Sequence, residues 1–173
     1  MRIRKIVIWA LMLSVFAIVI GCSEESKVKQ LEAQNKAVVR RALEELWNTR
    51  NLSICDEVFD PNCTLYFQGK SYPFNPNEAK ETIGYWLKAF PDFKFTIEDM
   101  VAEEDKVAVR LIFTGTHKGE FYGIAPTGKK ISVTQTEIDR LVDGKIVESW
   151  EDFDQHGMFK QLGMELKQKD SEK

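Results

Sequence analysis

A change of hydrophobic period near Asp92 is the feature that most constrains the fold of this chain. Before this point apolar residues recur every three or four positions, which is typical of amphipathic helices. After it they alternate with polar residues in long stretches separated by turns, which indicates antiparallel strands. Helices followed by strands predict the α+β class, with N-terminal helices packed on a curved, mainly antiparallel sheet. A pocket is expected between the helices and the sheet.

The first half of the chain contains three predicted helices. The first covers about 31–48, and a second, shorter helix ends near Phe59. The third begins at a capping Asn75 followed by Pro76, a favoured residue at the first helical position, and runs to Phe90. A short strand is expected over about 63–68.

The second half begins with a predicted hairpin over about 93–101 and 107–116. A long loop over 117–130 follows, in which we expect His117 to be exposed. Strands over 131–142 and 145–155 flank Asp143 and Gly144, a pair typical of a tight type I′ turn. A short helix over 156–162 is expected to end at Gly163.

The N-terminus has the pattern of a bacterial export signal. Three basic residues lie within residues 1–5, an uncharged apolar run covers 6–20, and Cys22 follows Gly21. The run is short for a membrane span but suits a signal peptide. The tetrad 19–22 resembles a lipobox, in which the cysteine is lipidated and becomes the first residue after cleavage. An uncleaved anchor helix is the alternative, and both interpretations place the domain outside the cytoplasm.

These features predict the organisation of the whole chain. We expect a lipoprotein signal peptide over 1–21, a tether over 22–30, one domain over 31–165 and a charged tail over 166–173. The mature protein should be extracytoplasmic and anchored to the bacterial membrane by acyl chains on Cys22. Because Ser23 is not acidic, we expect the outer membrane if the source is Gram-negative.

Charge and cysteine content exclude some classes of partner. Lys and Arg number 24 against 27 acidic residues, a net charge of −3, and removal of residues 1–21 makes it −6. Such a chain has no excess of positive charge for a nucleic acid. Three cysteines and two histidines lack the spacing of a structural zinc site, so no metal is expected. Cys55 and Cys63 form either a disulfide or two buried thiols, and both alternatives stay open.

Five ordered motifs over about 35–163 resemble the SnoaL-like polyketide cyclase (ester cyclase) family, within the nuclear-transport-factor-2-like superfamily. The resemblance implies a cone-shaped fold whose relatives include cyclases, isomerases, hydrolases and non-catalytic binding proteins. It also implies a homodimer through the outer sheet face, which here carries Trp150. The motifs are Ala89-Phe-Pro-Asp-Phe, Ile97-Glu-Asp-Met-Val-Ala-Glu-x-Asp-Lys-Val-Ala-Val-Arg, Phe113-Thr-Gly-Thr-His-Lys-Gly-Glu-Phe, Gly123-Ile-Ala-Pro-Thr-Gly-Lys and Asp143-Gly-Lys-Ile-Val-Glu-x-Trp-x-x-Phe-Asp-Gln.

Regular pairing across the Asp143-Gly144 turn predicts which residues face the pocket. It places Thr136 opposite Glu151 and Ile138 opposite Ser149 on one face. The other face carries Gln135, Glu137, Asp139 and Glu148, and we assign this carboxylate-rich face to solvent or a partner subunit.

Glu151 is then the one acidic residue inside the cone. Apolar surroundings would raise the pKa of its carboxyl group and suit it to acid–base catalysis. A register slip of one residue would place Asp152 inside instead. The predicted ligand-binding residues are Tyr66, Trp86, Thr136, Ile138, Ser149 and Phe153.

The resemblance implies a reaction and also shows two departures from it. In the polyketide cyclases an acidic residue on this strand takes the α-proton of the substrate for an aldol closure, without a cofactor. The family often has His-Trp-Asp where this chain has Ser149-Trp150-Glu151, and often has His where this chain has Tyr66. Two functions follow: a cofactor-independent cyclase or isomerase of an apolar small molecule, or a non-catalytic lipoprotein that binds an apolar small molecule or a partner protein.

Overall fold

The computed structural model describes residues 24–164. Residues 24–41 form helix α1, which continues without a break into a π-helical stretch, Ala42–Asn48. A 3-10 turn, Leu52–Ile54, leads into the short helix α2, Cys55–Val58. Helix α3 covers Pro76–Ala89 and helix α4 covers Gln155–Leu162. Among these residues no helix is both long and apolar enough to cross a membrane.

Within residues 24–164, six strands form one sheet. They are β1 (Phe59–Phe67), β2 (Lys70–Pro73), β3 (Lys94–Glu103), β4 (Lys106–Thr116), β5 (Lys130–Val142) and β6 (Lys145–Phe153). Their order is β2-β1-β6-β5-β4-β3, with only the β1–β6 pair parallel. Helices followed by a mainly antiparallel sheet confirm the predicted α+β class. Strand β2 was not predicted, and β1 begins four residues earlier than expected.

Local sequence signals set the ends of α3 and α4. The side chain of Asn75 accepts hydrogen bonds from the backbone N–H groups of Asn77 and Glu78, and Pro76 occupies the first turn of α3. Gly163 ends α4 in the left-handed conformation, with a φ of 92°. Both boundaries agree with the sequence prediction.

The loop 117–129 is anchored against the end of α3, and the expectation that His117 is exposed is wrong. His117 is fully buried and packs against the ring of Phe90. The N–H groups of Lys118 and Gly119 both donate to the carbonyl of Ala89. A Cβ atom at Gly119 would collide with the backbone of Lys88, so this position requires glycine.

Two further expectations concern the N-terminal segment and the cysteines. Residues 24–30, expected to be an irregular tether, belong to α1 and are exposed. Their role as a connection to a membrane anchor stays a prediction, and Cys22 lies outside the described residues. Cys55 and Cys63 are both buried thiols without a disulfide. Burial raises the pKa of Cys63 to about 12, so this thiol stays protonated.

The β5–β6 hairpin departs from regular pairing next to its turn. Leu141 pairs with Ile146, but Arg140 pairs with Glu148, so Val147 has no partner and forms a β-bulge. Beyond the bulge each residue of β5 faces a residue one position further along β6 than regular pairing predicts. The bulge therefore changes which β5 side chains share a face with Glu151.

Candidate active site

The concave face of the sheet carries a row of polar side chains between apolar ones. Beyond the bulge, Gln135 pairs with Phe153, Glu137 with Glu151, and Asp139 with Ser149. On the β4 side, Leu111, Val109 and Val107 lie beside this row, and all three are buried. On the β1 side, Phe67 pairs with Glu151 and Leu65 with Ser149. The polar row is thus enclosed by apolar neighbours on both sides.

Two connected cavities lie between this face and the helices. An outer cleft of about 500 Å³ opens to solvent, and an inner chamber of about 60 Å³ lies behind it. The outer volume suits a drug-sized molecule, whereas the inner one holds only a few water molecules or one small chemical group. Six residues line both cavities: Leu65, Phe74, Thr82, Trp86, Glu151 and Phe153.

Aromatic rings form most of the walls of the inner chamber. The ring of Trp86 contacts Phe113 and Phe153, with centroid distances of 5.7 and 5.9 Å. Trp47 packs on Phe93 at 4.9 Å and on Phe95 at 5.3 Å. Such walls bind flat, apolar molecules and lower the local dielectric.

The three carboxyl groups on the concave face have raised pKa values. Burial raises the pKa of Glu151 to about 7, and the nearby Asp139 adds to this effect. Burial also raises the pKa of Asp139 to about 7, although a hydrogen bond from the Ser149 hydroxyl acts in the opposite direction and lowers it. Burial, together with the charges of Asp139 and Glu151, raises the pKa of Glu137 well above its ordinary value. Glu151 and Asp139 can therefore exchange protons near neutral pH, whereas Glu137 favours its protonated form.

No positive charge offsets these carboxyl groups at the site. Among the described residues, those lining the two cavities include no Lys, Arg or His. The polar neighbour of Glu137 is Gln135, whose Nε2 donates to Oε2 of Glu137 at 3.1 Å. At the mouth, Oε2 of Glu78 is buried and has no hydrogen-bond partner. Within residues 24–164 no three His, Cys, Asp or Glu side chains are placed to hold a metal ion.

The structure brings some of the sequence-predicted site residues to the cleft. Glu151, Trp86 and Phe153 line it, and Ser149 lies deeper on the same face, where it is buried. Asp152, the alternative to Glu151, is exposed on the opposite face.

Three predicted ligand-binding residues lie on the wrong side of the sheet. Thr136 and Ile138 are exposed on the convex face because the bulge shifts the alternation of β5 relative to β6. Tyr66 lies there too, stacked on Trp150 with a centroid distance of 5.1 Å. The prediction that these three residues line the pocket is wrong.

Sequence reasoning missed Gln135, Glu137 and Asp139. We assigned these side chains to solvent or a partner subunit, because a face rich in carboxylates is usually hydrated. In the structure they are almost fully buried. No local residue pattern marks the bulge at Val147, so the strand alternation alone could not have found them.

The fold and the cleft together define an α+β cone with an acidic, aromatic-walled pocket. The family model of the SnoaL-like polyketide cyclases matches residues 37–162, and the chain belongs to this family. Aklanonic acid methyl ester cyclase AcmA of Streptomyces galilaeus is 33% identical over 134 residues, covering 73% of this chain and 89% of that protein.

Solved structures agree with this assignment. Wild-type IdmH of Streptomyces antibioticus superimposes with a TM-score of 0.67 at 29% identity, over 76% of this chain and 99% of that one. AclR of Streptomyces galilaeus, a candidate hydroxylase, gives 0.68 at 33% identity, over 76% and 82% of the two chains. A SnoaL-like protein of Jannaschia sp. CCS1 gives 0.72 at 22% identity, over 79% and 96%, and this likeness concerns the fold alone.

Proposed function

We propose that this protein is a cofactor-independent cyclase or isomerase that moves a proton on an apolar, carbonyl-containing small molecule, with Glu151 as the acid–base group. The observation that carries this proposal is the position of Glu151 at the junction of the two cavities. A carboxyl group whose pKa lies near 7 can both accept and return a proton at neutral pH. Two relatives are named as cyclases of aklanonic acid methyl ester and nogalonic acid methyl ester, which supports cyclisation of a carbonyl-containing ester.

The proposed reaction balances without a metal or cofactor. The Glu151 carboxylate takes a proton from the carbon next to a substrate carbonyl, and the C–H electron pair forms an enolate. The enolate carbon attacks a second carbonyl of the same molecule, which forms the new C–C bond. Protonated Glu151 then returns its proton to the resulting alkoxide. Isomerisation would use the same first step, with the proton returned to another carbon.

The substitution Glu151→Gln tests this function. Gln keeps the volume of the side chain but cannot accept and return a proton at neutral pH. With aklanonic acid methyl ester as the test substrate, we expect kcat to fall by roughly 10²- to 10⁴-fold. Asp152→Asn is the matched control because Asp152 is the next residue on the opposite face, and it should leave kcat unchanged. Equal turnover by the wild type and Glu151→Gln would exclude the proposed role.

A non-catalytic binding protein is the second candidate. The replacement of the family's frequent histidine by Ser149 favours it, because a hydroxyl group cannot relay a proton as an imidazole does. In that case Glu151→Gln would change only affinity. Native mass spectrometry of the purified protein, with release of any bound molecule, distinguishes a retained apolar ligand from an empty cleft.

We further propose that the protein is a lipoprotein attached through Cys22. The apolar run 6–20 and the tetrad 19–22 support this location. The mature chain should begin at Cys22 and partition into detergent. Cys22→Ser should prevent both. A Cys22→Ser variant still cleaved at the same bond and still bound to the membrane would contradict the lipid anchor.

A further inference from the structure

The bulge at Val147 places two carboxyl groups side by side inside the cone. Glu137 of β5 and Glu151 of β6 are direct cross-strand partners, and both line the inner chamber. Directly paired residues in antiparallel strands have Cβ atoms about 4.5–5.5 Å apart. Glutamate side chains at this spacing can bring their carboxyl groups into contact.

The surroundings of Glu137 and Glu151 disfavour the simultaneous ionisation of both carboxyl groups. Glu137 is 6% exposed and has buried Val109 as its other neighbour across β4. Other charged or titratable groups near the pair are Asp139 and Cys63 on the closed side and Glu78, Glu81, Tyr72 and Tyr122 around the outer cleft. A thiol, a phenol or a carboxyl group supplies no positive charge. Two adjacent carboxylates in such a site repel each other strongly, so the pair retains a proton.

We propose that Glu137 and Glu151 work as a proton-sharing pair, in which protonated Glu137 is a second catalytic residue that donates to the substrate carbonyl oxygen while ionised Glu151 takes the α-proton. This inference rests on the proposed proton-transfer function and extends it to a second residue. The deeper position of Glu137 favours the protonated role. The half-buried position of Glu151, at the junction with the outer cleft, favours the ionised role.

Hydrogen bonding fixes the orientation of the proton on Glu137. Gln135 donates to Oε2 of Glu137 at 3.1 Å, and this side chain is itself buried. A proton on Glu137 is therefore best placed on Oε1, the oxygen that Gln135 does not contact. Gln135 acts in this scheme as a positioning residue, since it holds the carboxyl group of Glu137 in one orientation.

The size of the chamber restricts what the pair can act on. About 60 Å³ accommodates one small group, such as a carbonyl with its α-carbon, but not a ring system. The rings of the substrate would then lie in the outer cleft of about 500 Å³. The geometry fits a substrate whose reactive ketone projects from the edge of its ring system rather than being enclosed within it.

The paired step keeps atoms and electrons in balance. Glu151 removes the α-proton, the C–H pair becomes a C=C bond, and the carbonyl π pair takes the proton of Glu137, which gives a neutral enol. When the enol carbon attacks the second carbonyl, the enol proton returns to Glu137 and the proton held by Glu151 goes to the new alkoxide. Both residues end in their starting states.

Titration of the two carboxyl groups tests the pair independently of turnover. In the mature full chain solubilised in detergent, ¹³C NMR of labelled Glu side chains should show two separate protonation steps for the pair. Glu137→Gln should make Glu151 ionise at lower pH, with its proton affinity weakened by at least about tenfold, and Glu151→Gln should do the same to Glu137. Glu148→Gln is the control, because Glu148 lies on the convex face of β6 in an ion pair with Arg140. It should shift neither group.

A second measurement separates this inference from the proposed function. With aklanonic acid methyl ester, the pH profile of kcat/KM should be bell-shaped in the wild type, and Glu137→Gln should lower its maximum by about 10²-fold and remove the fall at high pH. Absence of turnover by the wild type would contradict the proposed function but leave the titration decisive. If Glu137 and Glu151 titrate independently, so that each single variant leaves the pKa of the other residue as it is in the wild type, the proposal of a proton-sharing pair is wrong.

Discussion

The two faces of the β5–β6 hairpin place the same residue type in opposite electrostatic environments. On the convex face, Glu148 accepts from Nε of Arg140 at 2.5 Å and from the hydroxyl of Tyr66 at 3.2 Å, and these contacts lower its pKa. On the concave face, Glu151 lies three residues further along, and the described residues that line its cavities include no cation. Burial raises its pKa to about 7. Charge content alone therefore does not tell a solvent face from a reactive one.

The carboxyl groups on the two faces also differ in their effect on the free energy of unfolding. On the convex face Glu148 is partly exposed and paired with Arg140, so this ion pair contributes little to the free energy of unfolding. The concave carboxyl groups are buried, and within residues 24–164 no counter-charge lines their cavities, so their ionisation destabilises the fold. Retaining two such groups, Glu137 and Glu151, in the lining of a cavity is typical of sites that carry out proton transfer.

The largest expected effect comes from altering strand alternation. Deletion of Ile138 in the middle of β5 should turn the side chains on one side of the deletion to the opposite face of the sheet, including either Glu137 or Asp139. We expect this variant to lose cooperative folding. Deletion of Val147 should be tolerated, since it removes the unpaired bulge residue and leaves the pairs Leu141–Ile146 and Arg140–Glu148 adjacent. Thermal unfolding followed by circular dichroism measures both variants. For the Val147 deletion we expect Tm to change by no more than about 4 °C, which corresponds to roughly 1 kcal/mol.

The reverse result would contradict the bulge. If deletion of Val147 unfolds the protein and deletion of Ile138 does not, the concave face must be set by regular pairing, with Thr136 and Ile138 inside.

Much of the fold was predictable because its signals are local. The Asn75-Pro76 cap, the Asp143-Gly144 turn and the change of period near Asp92 each act within a few residues, and all three predicted the observed elements. The inward position of Glu151 was predicted by assigning the opposite face, which carries Glu148, to solvent or a partner subunit.

The inward positions of Glu137 and Asp139 could not be predicted in this way. They depend on one unpaired residue, Val147, which shifts the pairing beyond it by one position. The usual preference of carboxylates for solvent predicted the wrong face for Glu137 and Asp139, because it assumes that clustered carboxyl groups stay ionised.

The second prediction concerns pH and the buried carboxyl Asp139, which is 3% exposed. Its pKa in the folded protein, about 7, lies above the ordinary value of 3.8, so the folded state binds a proton that the unfolded state has lost. Stability from this group is complete below about pH 4 and is lost as pH rises to about 7. Asp139→Asn should remove up to about 4 kcal/mol of this pH dependence and stabilise the protein at pH 8.

Urea unfolding at pH 4.5 and pH 8 measures the effect on the free energy of unfolding. Asp152→Asn, on the exposed convex face of β6, is the control and should leave the pH dependence as in the wild type. A parallel pH dependence in Asp139→Asn and the wild type would show that Asp139 ionises freely in the folded protein.

The third prediction compares two hydrogen bonds of similar length on the two faces. Gln135→Met removes the 3.1 Å donor to buried Glu137 and should cost about 1–3 kcal/mol, because a buried carboxyl group loses its partner. Tyr66→Phe removes the 3.2 Å donor to Glu148 and should cost no more than about 1 kcal/mol, since that carboxylate keeps Arg140. Urea unfolding at pH 7 measures both. Equal losses would mean that the two faces are equally hydrated.

The smallest expected effect concerns assembly through the convex face. An apolar row crosses five strands there through successive pairs: Val101, Ala108, Ile138, Trp150 and Tyr66. Val101 on the edge strand β3 is 59% exposed, and Ile138 on the interior strand β5 is 40% exposed, so the row presents large apolar side chains to solvent. We propose that a second copy of the chain covers this row.

Charges beside the row specify how the two copies would pack. Arg110 on β4 and Asp152 on β6 lie two residues from the row on the same side of it, separated by Thr136 of β5. A two-fold axis parallel to β5 above Ile138 exchanges β4 with β6, so Arg110 of each copy faces Asp152 of the other. An axis along the row instead would place like charges opposite each other.

A charge exchange distinguishes these arrangements. Asp152→Arg should weaken the dimer by about tenfold, which is roughly 1.4 kcal/mol, and Arg110→Asp should do the same. The double variant Arg110→Asp/Asp152→Arg should restore the wild-type dissociation constant, because it re-forms the pairs with opposite polarity. Sedimentation equilibrium on residues 23–173 measures all four proteins. If the wild type is monomeric at high concentration, or if the double variant is weaker than either single one, the convex faces do not pair in this way.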